Sequence, residues 1–199
     1  MIDATYQKFS RALIPIFHEL AKYSADLQAA LQQNQLNSLQ AFMNLMLTWH
    51  QTCYPEWVFR RDFNRHLRGG FRYVLVHLNE VVDAFLSLDY HLRKISDDEF
   101  LKEVTSNLID VLEKNKLLLK LMTDFFAGIP LDQSHTNLTT DITELHNVTR
   151  SILPQDIELL DLNADYVHLS AIVHDVVDIR TILLKILTAL PIDDLAVTE

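Results

Sequence analysis

Apolar residues recur along this chain at alternating steps of three and four. The run Ile2, Tyr6, Phe9, Leu13, Ile16, Leu20, Tyr23, Leu27 keeps that rhythm, as do Leu67, Phe71, Val74, Leu78, Val81, Phe85, Leu88, Leu92 and Ile172, Val176, Ile179, Leu183, Ile186, Leu190. A fourth run carries Leu101, Val104, Leu108, Val111, Leu118, Met122 and Phe125. An average step of roughly 3.5 residues keeps one apolar stripe on one side of a helix, the seam by which antiparallel helices pack. The pattern predicts an all-α fold, an antiparallel helical bundle of about five or six helices, with residues 1–199 forming one domain.

Local signals set the expected boundaries. The first helix covers about Asp3 to Gln32, and Pro15 inside it predicts a kink near Arg11 to Pro15, or a break, because proline lacks the amide hydrogen and crowds the preceding turn. Asn37 or Ser38 caps a second helix that stops before Pro55, since a residue preceding proline leaves the α region. A third runs to about Lys94, starting at Phe71 or taking in the Gly69-Gly70 pair. Ser96 and Glu99 form a capping box for a fourth, which Gly128-Ile129-Pro130 ends with a left-handed cap and a breaker. A shorter helix is expected from about Asp141 to Leu153, and a last one from about Ala164 to Leu190.

Composition agrees with this class. Three glycines and five prolines are too few for the turns of a β-sandwich or barrel, and a 49% hydrophobic content supplies a core. Cys53 is the only cysteine, so no intramolecular disulfide forms, which fits a reducing compartment. The start of the chain lacks the basic and apolar regions of a signal peptide, and no stretch reaches the roughly 20 apolar residues of a membrane span. The net charge of −10 is concentrated: residues 131–199 hold twelve Asp and Glu against Arg150, Arg180 and Lys185. Such a surface repels phosphate backbones, which argues against nucleic acid as a partner.

Candidate chemistry is sparse. Arg61, Arg65, Arg68 and Arg72 step by four, three and four, so on a continuous helix they share a face about 100° from the apolar seam. Beside Trp57, Phe59 and Tyr73 they suit a carboxylate, through paired hydrogen bonds, and an aromatic ring, through stacking. The competing reading pairs them with Asp156, Glu158, Asp161, Asp165, Asp175 and Asp178 of the acidic C-terminal third, and the chain's surplus charge favours it. Nine histidines invite a metal search, but only Asp165-x-x-His168 approximates a di-metal bundle motif. Asp165, His168, His174 and Asp178 are therefore a weak alternative metal set, with solvated or capping histidines preferred. Cys53 near Arg60 and Arg61 reads as a small core residue rather than a nucleophile. No nucleophile elbow, phosphate-binding loop, dinucleotide fingerprint or zincin motif occurs, so neither a cofactor nor an enzymatic activity is expected.

One resemblance rests on Tyr54-Pro55-Glu56-Trp57-Val58, Phe63-Asn64, Leu67-Arg68, Gly70-Phe71-Arg72-Tyr73 and Glu80, with Tyr166, Leu169, Asp178-Ile179-Arg180 and Leu183-Leu184 near the end. These resemble the helical region between the two membrane-spanning blocks of bacterial fusaric-acid-resistance-like, or aromatic acid exporter-like, inner-membrane proteins. The resemblance covers nearly the whole chain, through degenerate motifs, and departs from the family in having no span. It implies an excised segment on the cytoplasmic side of the inner membrane, joined to the membrane by flanking segments. It further implies a non-catalytic assembly and gating role in exporting small aromatic or amphipathic acids, with self-association and a possible small aromatic carboxylate ligand. The alternative is a stand-alone soluble adaptor or a histidine-carboxylate metal bundle.

Overall fold

A computed structural model describes residues 4–33, 70–95, 98–129, 147 and 164–189. Its regular elements are four helices: α1 (Ala4–Gln33), α2 (Gly70–Leu92), α3 (Asp98–Phe126) and α4 (Ala164–Ala189). Each matches one of the long apolar runs. The helix expected around 39–49 lies outside the described residues, as do Ser96 of the capping box and Gly69, and of the helix expected around 141–153 only Asn147, helical and exposed, is described. Among the described residues no helix is long and apolar enough to cross a membrane.

The predicted seam is the core. Leu13, Ile16, Leu20, Tyr23 and Leu27 of α1, Val74 to Leu92 at their three-and-four spacing on α2, and Ile172, Val176, Ile179, Leu183 and Ile186 of α4 are all buried in one continuous cluster. From α3 it receives Leu108, Val111, Leu118, Met122 and Phe125. Full burial of each such aliphatic side chain contributes about 1.5–3 kcal/mol against its exposure to water.

Side-chain pairings give the directions of the helices. Phe17 stacks on Phe126 at 5.6 Å, while Gln28, farther along α1, reaches back to Ile109 and Glu113 earlier in α3. The two helices are therefore antiparallel. In the same way His91 near the end of α2 meets His168 near the start of α4, and Glu80 and Lys185 share the other end of that pair. Residues 93–97 join α2 to α3 and reach at most roughly 20 Å, so α3, about 43 Å long, must turn back along the bundle. Taken together, α1 and α2 run one way and α3 and α4 the other. The start of α1 and the end of α4 thus lie at the same end of the bundle.

Two local expectations meet the structure differently. Gly128 takes a left-handed φ of 77°, and the Ile129 and Gly128 amides donate to the Asp124 and Phe125 carbonyls at 2.9 and 3.0 Å, closing α3 with a Schellman cap as predicted. The break allowed at Pro15 is absent, since α1 is one helix of 30 residues. Pro15 is exposed, so water can satisfy the carbonyl it leaves unbonded, and buried Leu13, Ile16, Phe17 and Leu20 hold both sides of it against the core.

Candidate functional site

Beside the apolar seam, α2 and α4 each carry a polar row at helical spacing. On α2 the row is Glu80, Asp83, Ala84 and Ser87, and on α4 it is His174, Asp175, Asp178, Thr181, Ile182 and Lys185. Antiparallel packing sets the rows face to face across an open groove of about 480 Å³. Its charge comes from Glu80, Asp83, Asp175 and Asp178 against Lys185, a formal −3 when the histidines are neutral. His77 Nδ1 lies 2.6 Å from Glu80, His174 Nδ1 lies 3.0 Å from Asp178, and the Asn79 amide donates to Asp83 at 3.2 Å.

Asp175 stands apart from these surface pairs. It is only 9% exposed, and its Oδ2 has no hydrogen-bond partner. Burial pushes its carboxyl above the ordinary value, and the Ser87 hydroxyl, the nearby His91 and His174 rings offset only part of that. That oxygen, Oδ2, is also closed to solvent.

One turn farther along, His91 Nδ1 and His168 Nδ1 approach to 2.8 Å, with Tyr90 edge-on to both rings. In that bond one imidazole donates and the other accepts, which fixes opposite tautomers. Tyr90 and Val167, about half exposed, flank the pair at this end. Behind it, buried Asp89 accepts from the Tyr23 hydroxyl at 2.9 Å and from the Arg93 guanidinium at 2.8 and 3.1 Å. Burial, then the Asp89 charge, pushes the Tyr23 phenol well above its ordinary value, and the hydrogen bond to Asp89 raises Arg93. This fork fastens α1 to the end of α2. A second polar link fastens α3 to α4: the buried Asn115 amide donates to the Val176 carbonyl at 3.3 Å and accepts from the fully buried Arg180 at 3.4 Å.

Of the residues singled out from sequence, Trp57, Arg61, Arg65 and Arg68 lie outside the described residues, and Arg72 is described only as backbone in α2. Tyr73 is exposed and packs edge-on against His77 at 4.0 Å. The alternative metal set is not gathered at one point: His168 pairs with His91 and His174 with Asp178. Among the described residues no group of three or more His, Cys, Asp or Glu is disposed to hold a metal ion.

Compared with known proteins, the chain matches no family model, no curated protein and no solved structure. Sequence reasoning missed the role of Asp175, the Tyr23-Asp89-Arg93 fork, the histidine pair and the Asn115-Arg180 link. A signal existed for the fork, since Asp89 interrupts the buried face between Leu88 and Leu92 and Arg93 follows it at i+4. Its partner on α1 was not visible, because the contact joins residues 66 positions apart.

Proposed function

We propose that this bundle is a non-catalytic assembly and gating domain of an inner-membrane exporter of small aromatic or amphipathic acids, held on the cytoplasmic side by flanking membrane segments. The observation that supports it is the direction of the helices. With α1 entering and α4 leaving at the same end, the bundle is suited to hang between two membrane-bound blocks and to pass a displacement of one to the other. The links from Tyr23 to Asp89 and from Asn115 to Arg180 favour such transmission, because they tie neighbouring helices by polar contacts that resist sliding. Tyr73 and Val76, both exposed at the start of α2, supply an apolar face for a neighbouring subunit.

Cellular accumulation of aromatic carboxylic acids tests the reading. Host cells lacking the gene are expected to retain at least one acid of a panel, and a plasmid copy is expected to restore its release. A copy with residues 164–189 deleted should not. Equal accumulation in all three strains overturns the exporter assignment. Sedimentation of the purified chain tests assembly, for which a concentration-dependent oligomer is expected.

A further inference from the structure

We propose that His91 and His168 form a pH-sensitive latch between the end of α2 and the start of α4, closed while the two rings share one Nδ1 proton and opened once each ring carries its own. The geometry of the contact carries this. The Nδ1 atoms lie 2.8 Å apart and the ring centres 5.1 Å apart. With ring bonds of about 1.33 Å, a nitrogen sits about 1.1 Å from the centre of its five-membered ring, so 5.1 Å is the largest separation that the contact permits. The rings therefore meet head-on, each nitrogen aimed at the other, and the contact has room for one hydrogen.

Proton number gives the pair its two states. When both rings are neutral, one Nδ1–H donates to the lone pair of the other. A first added proton leaves that bond in place, and His91, in the last turn of α2 where the helix macrodipole favours a cation, can carry it while donating to His168. A second places N–H against N–H and two positive charges at 2.8 Å, so the rings must part. The charges around the pair are of both signs. Asp89 of α2 is engaged by Tyr23 and Arg93, while Lys94, 5.6 Å over the Tyr90 ring, adds positive charge. On α4 the acids are Asp165, one turn before His168, and Asp175, whose carboxyl feels both His91 and His174. From α3 and α1 the described charges toward this end, Lys102, Asp110 and Asp26, are exposed. No group can come between nitrogens at this distance, so none relieves the clash. The Tyr23-Asp89-Arg93 fork contains no imidazole and keeps the last turn of α2 on α1. Opening therefore displaces the first turn of α4, which buried Leu169 and Ile172 anchor from the next turn onward. This latch is independent of the exporter reading, and neither result bears on the other.

Distances between spin labels on the full chain in a Cys53→Ser background, read by electron-electron resonance from about pH 7.5 to pH 5, the range in which imidazoles titrate, test the proposal. Labels at Lys94 and Ala164 span the latch, and labels at Val76 and Lys185 span the other end of the same helix pair. The first distance is expected to lengthen and broaden as pH falls, while the second holds and the circular dichroism stays native. His168→Gln is expected to abolish the change, because its side-chain oxygen accepts from His91 whatever charge that ring carries. His91→Gln, whose amide can present either its donor or its acceptor, is expected to do the same and serves should His168→Gln not fold. An unchanged distance from Lys94 to Ala164 in the parent overturns the proposal. Opening of either folded variant to the parent's extent also overturns it, since that assigns the change to carboxylates such as Asp165. Equal change at both label pairs does so too, because it marks a general expansion in acid.

Discussion

Three residues whose cost or benefit is traceable to a single physical cause carry sharp expectations. Asp175 is buried with an unpartnered oxygen, and its carboxyl titrates above the ordinary value of 3.8. Just above that value the folded chain keeps a proton that the unfolded chain has released, so stability falls as pH rises. Asp175→Asn is therefore expected to raise stability at pH 7 by about 1 kcal/mol, a gain that disappears near pH 3, as read by thermal melts at both values. The opposite holds for Asp89, which accepts from Tyr23 and Arg93 while only 3% exposed. Asp89→Ala leaves the phenol and guanidinium without their acceptor and is expected to cost about 3 kcal/mol in urea unfolding, with Tyr23→Phe costing about 1. At Gly128 a Cβ would meet nothing within 4 Å, so Gly128→Ala isolates the penalty of the left-handed backbone, about 1 kcal/mol.

Each helix shows which of its features came from local rules and which from its neighbours. Periodicity located α1, α2, α3 and α4, and the cap at Gly128 followed from glycine's access to positive φ. Pro15 did not break α1, because the rule concerns an isolated helix and the packed one is held on both sides of the proline by core residues. The proline still removes one backbone hydrogen bond. Pro15→Ala is expected to stabilise the chain by about 1–2 kcal/mol, less than the intrinsic helix penalty of proline since the unfolded chain also gains freedom. A raised urea midpoint with unchanged slope is the expected readout. Between α1 and α3, Glu113 is held below its ordinary value by the Lys116 hydrogen bond and then by Gln28. Its contribution is present above pH 4.5 and is lost as pH falls through the lower folded value. Gln28→Ala is expected to narrow that acid loss.

The directions of α1 and α4 give the bundle its most testable architectural property. With spin labels on a Cys53→Ser background, the pair at Arg11 and Lys185 is expected to show a markedly shorter distance by electron-electron resonance than the pair at Ala29 and Lys185. The reverse order would undo the shared-end geometry on which the exporter reading leans. All-helical class, the four long helices and the seam itself were legible in the chain, since every position of the four apolar runs whose burial is described is buried, and a stripe repeating at three and four requires no knowledge of its partner. The acidic excess of the C-terminal third was equally plain, and yet its meaning was not: Asp165, Asp175 and Asp178 read alike as partners for the arginine stripe. Packing separated them. It closed Asp175 into the wall of a groove, left Asp178 beside His174 at the surface, and brought His91 within 2.8 Å of His168. Periodicity reports which way a side chain faces on its own helix, an intramolecular property of consecutive residues. Which charge loses its water, and which distant group it then meets, depends on how helices far apart in the chain are set against one another, and no local pattern encodes that.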